Sequence, residues 1–194
     1  MTSPLVRMRA MKLPVLEKSS TDQPWYADGL KFTCSQCGNC CTGGPGYVWI
    51  SREEIVKLAE HLKLTPEETV ERYCRKIDGK FSLKERRSPA GLYDCIFLKE
   101  MQVPRSGGDG AGDEKVVHTI RACSVYHVRP LQCRTWPFWP ENLANERAWN
   151  QAAKKCHGMN APGRSFSLNQ IHAIRDAAEW PKNPPTSKAP AKKK

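Results

Sequence analysis

Apolar positions recur at helical spacing in several stretches of the chain. In "SREEIVKLAEHLKL", Ile55, Leu58, Ala59 and Leu62 fall on one face. Ser51 stands at the N-cap position, and Glu54 three residues on completes a capping box. "TPEETVERYCRK" predicts a second helix, capped by Thr65, with Pro66 in the first turn and Glu68 closing another box. The pair predicts a small helical hairpin, with Cys74 inside the second helix as a small buried residue. "SLNQIHAIRDAAEW" predicts a last helix capped by Ser167, with Ile171, Ile174 and Ala178 on its inner face. "ENLANERAWNQAAKK" predicts one more, ending near Cys156.

Between the helices the pattern shortens to strands. "GYVWI" (Gly46–Ile50) is aromatic and β-branched, and Phe81–Leu92 has room for another strand and turn. "DCIFLKEMQV" and "KVVHTIRACSVY" predict a β-hairpin joined through "PRSGGDGAGD" (Pro104–Asp113), a dispensable loop. Three prolines predict an extended, looped course for "HVRPLQCRTWPFWP" (His127–Pro140), and "KCHGMNAPGRSF" reads as loop. The class expected is α+β: a small, loop-rich domain with short helices and a β-hairpin.

Composition says how such a domain holds together. The chain has 194 residues, of which 39% are hydrophobic, with fifteen prolines and thirteen glycines. Mean hydropathy is −0.62. A core this lean calls for a staple of disulfides or metal. We expect a loose lead-in over residues 1–30, one metal-stapled domain over 31–180, and a disordered basic tail over 181–194. That tail, "PKNPPTSKAPAKKK", carries five of the lysines behind a net charge of +11. It suits weak, nonspecific contact with acidic or nucleic-acid partners, although its plainer role is a solvated terminus. An unknown protein partner stays open. No segment approaches the roughly 18 apolar residues of a membrane span, and "MTSPLVRMRAMKLPVLEKSS" has no apolar signal stretch. No membrane association and a cytoplasmic location are therefore expected.

Nine cysteines supply the candidate staple. An odd count and no export signal favour metal over disulfides. Four of the nine crowd into "FTCSQCGNCCTGG": Cys34, Cys37, Cys40 and Cys41. C-x2-C spacing lets a tight turn aim two sulfurs at one metal while backbone N–H groups stabilise their charge. Gly38 stands where such a turn needs positive φ. The triple Cys34, Cys37, Cys40 matches the first three ligands of a bacterial ferredoxin run, but the fourth cysteine follows at once, without a proline after it. Adjacent Cys40 and Cys41 are expected to diverge, and either to serve different sites or to leave one as a spare. Cys95, Cys123, Cys133 and Cys156 lie in loop or strand-end contexts. Setting Cys74 aside leaves eight thiols, enough for two four-cysteine sites. Arg121, Arg129 and Arg134 lie close enough in sequence to offset thiolate charge, or are ordinary surface arginines.

These segments resemble the YkgJ-type cysteine-cluster family (CxxCxxCC), a zinc- or iron-chelating domain. The likeness rests on "FTCSQCGNCCTGGPGYVWIS", "CIFL", "CSVYHVRPLQCRTWPF" and "CHGM", and runs from about Phe32 to Ile174. Cys34, Cys37, Cys40, Cys41, Cys95, Cys123, Cys133 and Cys156 fall on family cysteine positions and Cys74 does not. The resemblance implies metal chelation by these eight thiolates, with zinc, iron or an iron–sulfur cluster all open. Flagellin lysine N-methylases are similar too, which implies an iron–sulfur-dependent protein-modifying enzyme as the alternative, although no S-adenosylmethionine fingerprint is recognisable. No catalytic motif stands out. His61, His118 and His172 read as structural or surface residues. His127 and His157 sit near cysteines and could replace a ligand or hydrogen-bond to a sulfur, although a structural or surface role is the plainer reading. "WPFWP" (Trp136–Pro140) reads as a shield for the metal site.

Overall fold

The computed structural model describes residues 23–104 and 117–178. Packing starts upstream of the expected boundary at residue 31. Tyr26 is buried, and the Trp25 indole donates to the Leu143 carbonyl at 2.8 Å. Residues 1–22 of the predicted lead-in, the hairpin loop beyond Pro104 and the predicted tail over 181–194 lie outside the described residues.

Strand β1 (Leu30–Lys31) leads into the cysteine run, which ends in a 3-10 turn, Asn39–Cys41. Then come β2 (Thr42–Gly43) and β3 (Trp49–Ile50). Helices α1 (Arg52–Leu62) and α2 (Pro66–Tyr73) follow, each opened by a complete capping box, Ser51 with Glu54 and Thr65 with Glu68. They bury Ile55, Leu58, Ala59 and Thr69. These two helices form as their sequences predict because caps, first-turn acids and apolar spacing agree.

Cys74 departs from the expectation. Its N–H still bonds the Val70 carbonyl, but the residue ends α2 and opens β4 (Cys74–Ile77). The cause is β5 (Lys80–Leu83), which pairs with β4 from Cys74↔Leu83 to Ile77↔Lys80. Asp78 and Gly79 join them with φ of 47° and 80°, the two positive values of a type I′ turn. Cys74 is nonetheless the buried small residue foreseen.

Next are β6 (Glu85–Arg87), β7 (Tyr93–Cys95), β8 (Leu98–Pro104) and β9 (Val117–Cys123). β8 and β9 form the predicted hairpin, paired from Leu98↔Cys123 to Pro104↔Val117. The proline segment is less extended than predicted. It holds a 3-10 turn at Tyr126–Val128 and α3 (Leu131–Arg134), one helical turn started by Pro130. The single helix foreseen before Cys156 is two, α4 (Pro140–Leu143) and α5 (Glu146–Ala153), because Asn145 caps a new start by accepting from the Ala148 N–H. β10 (Ser165–Phe166) and the Ser167-capped α6 (Leu168–Asp176) complete an α+β fold of short helices and small antiparallel sheets.

The sheets have orders β1-β10, β2-β7-β6, β3-β5-β4 and β8-β9. They serve two apolar clusters. One gathers Ile50, Ile55, Leu58, Cys74, Leu83, Phe97 and Val125. The other gathers Tyr26, Phe138, Leu143, Trp149, Met159, Phe166 and Ile171. β1 closes the second by pairing with β10, while Thr33 N–H bonds the Gly158 carbonyl at 3.0 Å. Gly158 is obligatory there, since a Cβ would meet the Thr33 carbonyl oxygen at 2.0 Å. Cys95 and Cys123 pack against the first cluster and Cys156 against the second, so the cysteines border both.

Candidate metal centre

All nine cysteines are free thiols. Cys40 is exposed, Cys74 buried, and the other seven half-buried.

The N-terminal loop turns as its glycine requires. Gly38 has φ 73°, and its carbonyl accepts the Cys41 N–H at 2.9 Å. A Cβ on Gly38 would lie 2.7 Å from Leu98 Cδ1 and 2.8 Å from the Arg121 carbonyl oxygen, so glycine also lets the loop lie against the β8–β9 hairpin. Contrary to expectation, Cys40 and Cys41 do not diverge: the turn brings their Sγ atoms to 3.9 Å.

Asp94 then joins three cysteine-bearing segments. Its buried carboxylate accepts from Thr42 Oγ1 at 2.6 Å and from an Arg121 guanidinium nitrogen at 2.9 Å. Thr42 follows Cys41, Asp94 precedes Cys95, and Arg121 lies two residues before Cys123. Burial by itself would raise the Asp94 carboxyl, but the bonds from Thr42 and Arg121, with the charges of Arg121 and Arg86, hold it below the usual carboxylate range.

Cys133 arrives on α3, fixed from two sides. Glu54 accepts the Leu131 N–H at 2.6 Å while its other oxygen accepts from the Ser51 N–H, so one side chain serves the starts of both α1 and α3. Gln132 accepts from Trp49 N–H at 2.7 Å and donates to the Tyr47 carbonyl at 3.1 Å, binding α3 beside β3 as a strand would.

These elements bring Cys41, Cys95, Cys123 and Cys133 within reach of the Cys40 charge. Burial pushes the Cys95 thiol up to about 11, with help from Cys123, Glu85 and Cys40, although the Phe97 N–H aimed at its sulfur opposes this. Burial likewise raises Cys123, opposed by the Val125 N–H and by Arg129. Cys133 is raised most by burial, then by Cys95, Cys40 and Cys123. Cys41 is raised first by its contact with Cys40, then by burial and by the Cys40, Cys95 and Cys133 charges. Cys40 takes the other half of that contact and, with Arg129 nearby, falls to about 7. The N–H groups aimed at Cys95 and Cys123 come from two residues downstream in each case.

Two of the other family cysteines have partners of their own. Cys34 contacts the Tyr126 hydroxyl, and Cys156 accepts from the Trp136 indole N–H at 3.4 Å. The Asn39 side chain donates to the Lys155 carbonyl at 3.0 Å, linking the N-terminal loop to the Cys156 turn. His61, His127 and His157 are exposed, and His172 packs edge-on to Tyr26. In the WPFWP stretch, Phe138 is core and Trp136 touches Cys156, so part of the stretch does cover a thiol.

The donor set fits a soft metal. Four thiolates around zinc at about 2.3 Å have sulfurs about 3.8 Å apart, and the Cys40–Cys41 pair stands at 3.9 Å. Among the described residues no three His, Cys, Asp or Glu side chains are already in ligating geometry, so binding would draw the other sulfurs inward. Also among the described residues, no helix is long and apolar enough to cross a membrane.

Fold and thiol arrangement together define a cysteine-cluster domain. The chain belongs to the CxxCxxCC family, described as a "putative zinc- or iron-chelating domain", whose pattern matches residues 33–157. That span takes in all eight cysteines of the resemblance noted above. A stretch of 113 residues is 29% identical to the uncharacterized protein MJ0661 of Methanocaldococcus jannaschii, covering 58% of this chain and 48% of that protein. The chain thus spans about half the length of that relative. No solved structure matches the chain.

Proposed function

We propose that this protein chelates a single tetrahedral metal ion, zinc or iron, through thiolates of the group Cys40, Cys41, Cys95, Cys123 and Cys133. The observation that supports the reading is the contact of Cys40 Sγ with Cys41 Sγ at 3.9 Å, with Cys95, Cys123 and Cys133 within the influence of the Cys40 charge and Asp94 fastening three of their segments together. Cys40, Cys41, Cys95 and Cys133 form the first choice of four, since each of them couples to the other three. Cys123 borders them, and Cys34, Cys37 and Cys156 are the reserve for a second site. Bound there, the ion would cross-link the N-terminal loop, β7 and α3. Free thiols in this number suit a reducing compartment, so we place the protein in the cytoplasm.

Metal analysis of anaerobically purified protein, with its visible spectrum, tests the reading. One equivalent of zinc in colourless protein, or of iron with a simple iron–thiolate spectrum, supports it. Inorganic sulfide with an iron–sulfur absorption band would replace the single ion with a cluster and favour the protein-modifying alternative. Protein without metal that takes none up on titration overturns it.

A further inference from the structure

We propose that Cys40 and Cys41 form a redox pair: a peroxide joins them in a disulfide between neighbouring residues, and that bond closes the centre to metal. The closing rests on the metal reading above, whereas the bond itself does not. The Cys40 and Cys41 Sγ atoms stand 3.9 Å apart, and closing by about 2 Å brings them to disulfide bond length. Of the nine thiols Cys40 is the exposed one, so a small oxidant in solvent reaches it first, with half-buried Cys41 beside it.

The approach is built into the loop. The 3-10 turn at Asn39–Cys41 folds two side chains together that an extended backbone would send apart. Both ends of the turn are held. Before the pair, the Gly38 carbonyl accepts the Cys41 N–H at 2.9 Å, and the Asn39 side chain donates to the Lys155 carbonyl at 3.0 Å. After it, Thr42 pairs with Asp94 across the β2–β7 ladder and donates its hydroxyl to that carboxylate at 2.6 Å. Fixed this way, each sulfur meets the other at high effective concentration.

The chemistry needs only the two thiols and hydrogen peroxide. The Cys40 sulfur attacks one peroxide oxygen, the O–O bond breaks, and Cys40 becomes a sulfenic acid as water leaves. The Cys41 sulfur then attacks the Cys40 sulfur, the S–O bond breaks, and hydroxide departs with the Cys41 proton as a second water. The two thiols lose two electrons and the peroxide gains them. Neighbouring Cα atoms lie about 3.8 Å apart, below the roughly 4.4 Å at which ordinary disulfides begin. The ring is therefore strained, and strained disulfides are the easily reduced ones, open to monothiols of the glutathione class. While the bond lasts it removes two of the four first-choice ligands, and a bound ion in turn occupies both sulfurs. Oxidation and metal occupancy exclude each other.

The test treats the metal-free full chain with one equivalent of hydrogen peroxide, alkylates the remaining thiols and digests with trypsin. The peptide Phe32–Arg52 carries Cys34, Cys37, Cys40 and Cys41. It is expected to be lighter by two hydrogens at Cys40–Cys41, with Cys34 and Cys37 alkylated, which fragmentation between Cys37 and Cys40 reads directly. Reduced glutathione before alkylation is expected to return four alkylated cysteines. Cobalt(II) uptake is expected to be lost in the oxidised chain and restored by glutathione. Cys40 or Cys41 bonded to any other cysteine overturns the proposal, as do added oxygen on Cys40 and alkylation of both. A bond that glutathione leaves intact overturns the strained, reversible pair, and an oxidised chain that takes up cobalt like the reduced one overturns the exclusion. A reduced chain that takes up no cobalt overturns the metal reading, while the peptide still decides the bond.

Discussion

Asp94 shows how one buried carboxylate can organise residues it does not resemble. It accepts from Thr42 and Arg121 and so holds three cysteine-bearing segments in register. Asp94→Asn keeps an acceptor for Thr42 but loses the charge that Arg121 answers. We expect a loss of about 1–3 kcal/mol, read as a lower urea midpoint in the metal-free protein, together with faster metal loss to a chelator. An unchanged midpoint would show that Arg121 and Thr42 find equivalent partners. The cysteines themselves should divide by position. Cys133→Ser is expected to abolish stoichiometric metal binding, whereas Cys74→Ser, inside the apolar cluster of Ile55 and Leu58, should keep its metal and lose stability only. Equal metal loss in both would refute the assignment. Gly38 was legible in the sequence because its backbone requirement is local. Asp94 was not, since "YDC" looks like any strand with a polar residue facing water. What buries that aspartate is β2, fifty residues upstream, and β2 pairs across Thr42↔Asp94.

Among the elements, those written in local chemistry came through the sequence intact. Both capping boxes of the helical pair, the Ser167 cap and the β8–β9 hairpin stand where they were read. Those set by a distant partner did not. α2 stops at Tyr73 because β5 draws Cys74–Ile77 into a sheet, although Asp78-Gly79 was a hairpin signal in plain view. α3 hides among prolines because Gln132 and Glu54, not propensity, hold that turn in place. The β8–β9 pairing, seven residues on each side, is stable enough to tolerate a shorter connection. Deleting Gly107–Gly112 is therefore expected to leave metal content and melting temperature nearly unchanged. A large fall in either would mean that the connection itself contributes to the site.

For the molecule as a whole, the proposed metal binding is expected to share one equilibrium with folding. The apolar clusters are small, whereas structural zinc contributes about 10–16 kcal/mol in small peptides, against about 5–15 kcal/mol for the stability of a whole domain. Chelation is therefore expected to unfold the segments after Cys95 while α1 and α2 keep part of their helicity. Circular dichroism and hydrogen exchange with a chelator test this, and a phosphine reductant alone should unfold nothing. Protons report on the same coupling. The Cys41, Cys95, Cys123 and Cys133 thiols are raised in the metal-free protein, so at neutral pH they are protonated, while Cys40, lowered to about 7, is partly ionised. Loading must then release about three to four protons per ion, and affinity rises with pH. The metal-free protein goes the other way: its raised thiols stabilise it below the ordinary thiol range, and that contribution is lost as pH climbs toward about 11, the value for Cys95. Calorimetry in two buffers of different ionisation enthalpy counts the protons. A count near zero would mean the thiols are already ionised.

The pairing of β1 with β10, and the proposed sharing of one ion by Cys40, Cys41 and Cys133, also set an order of events during synthesis. The ribosome delivers the crowded thiols first and their partners last, with an interval on the order of ten seconds at ordinary elongation rates. Over that interval the nascent chain exposes its softest donors with nothing to complete their coordination. β1 likewise waits for an edge that does not yet exist. A strand made late, β10, is the one that lets an early strand, β1, become structured, so an interrupted synthesis leaves an open set of donors where a closed domain should be.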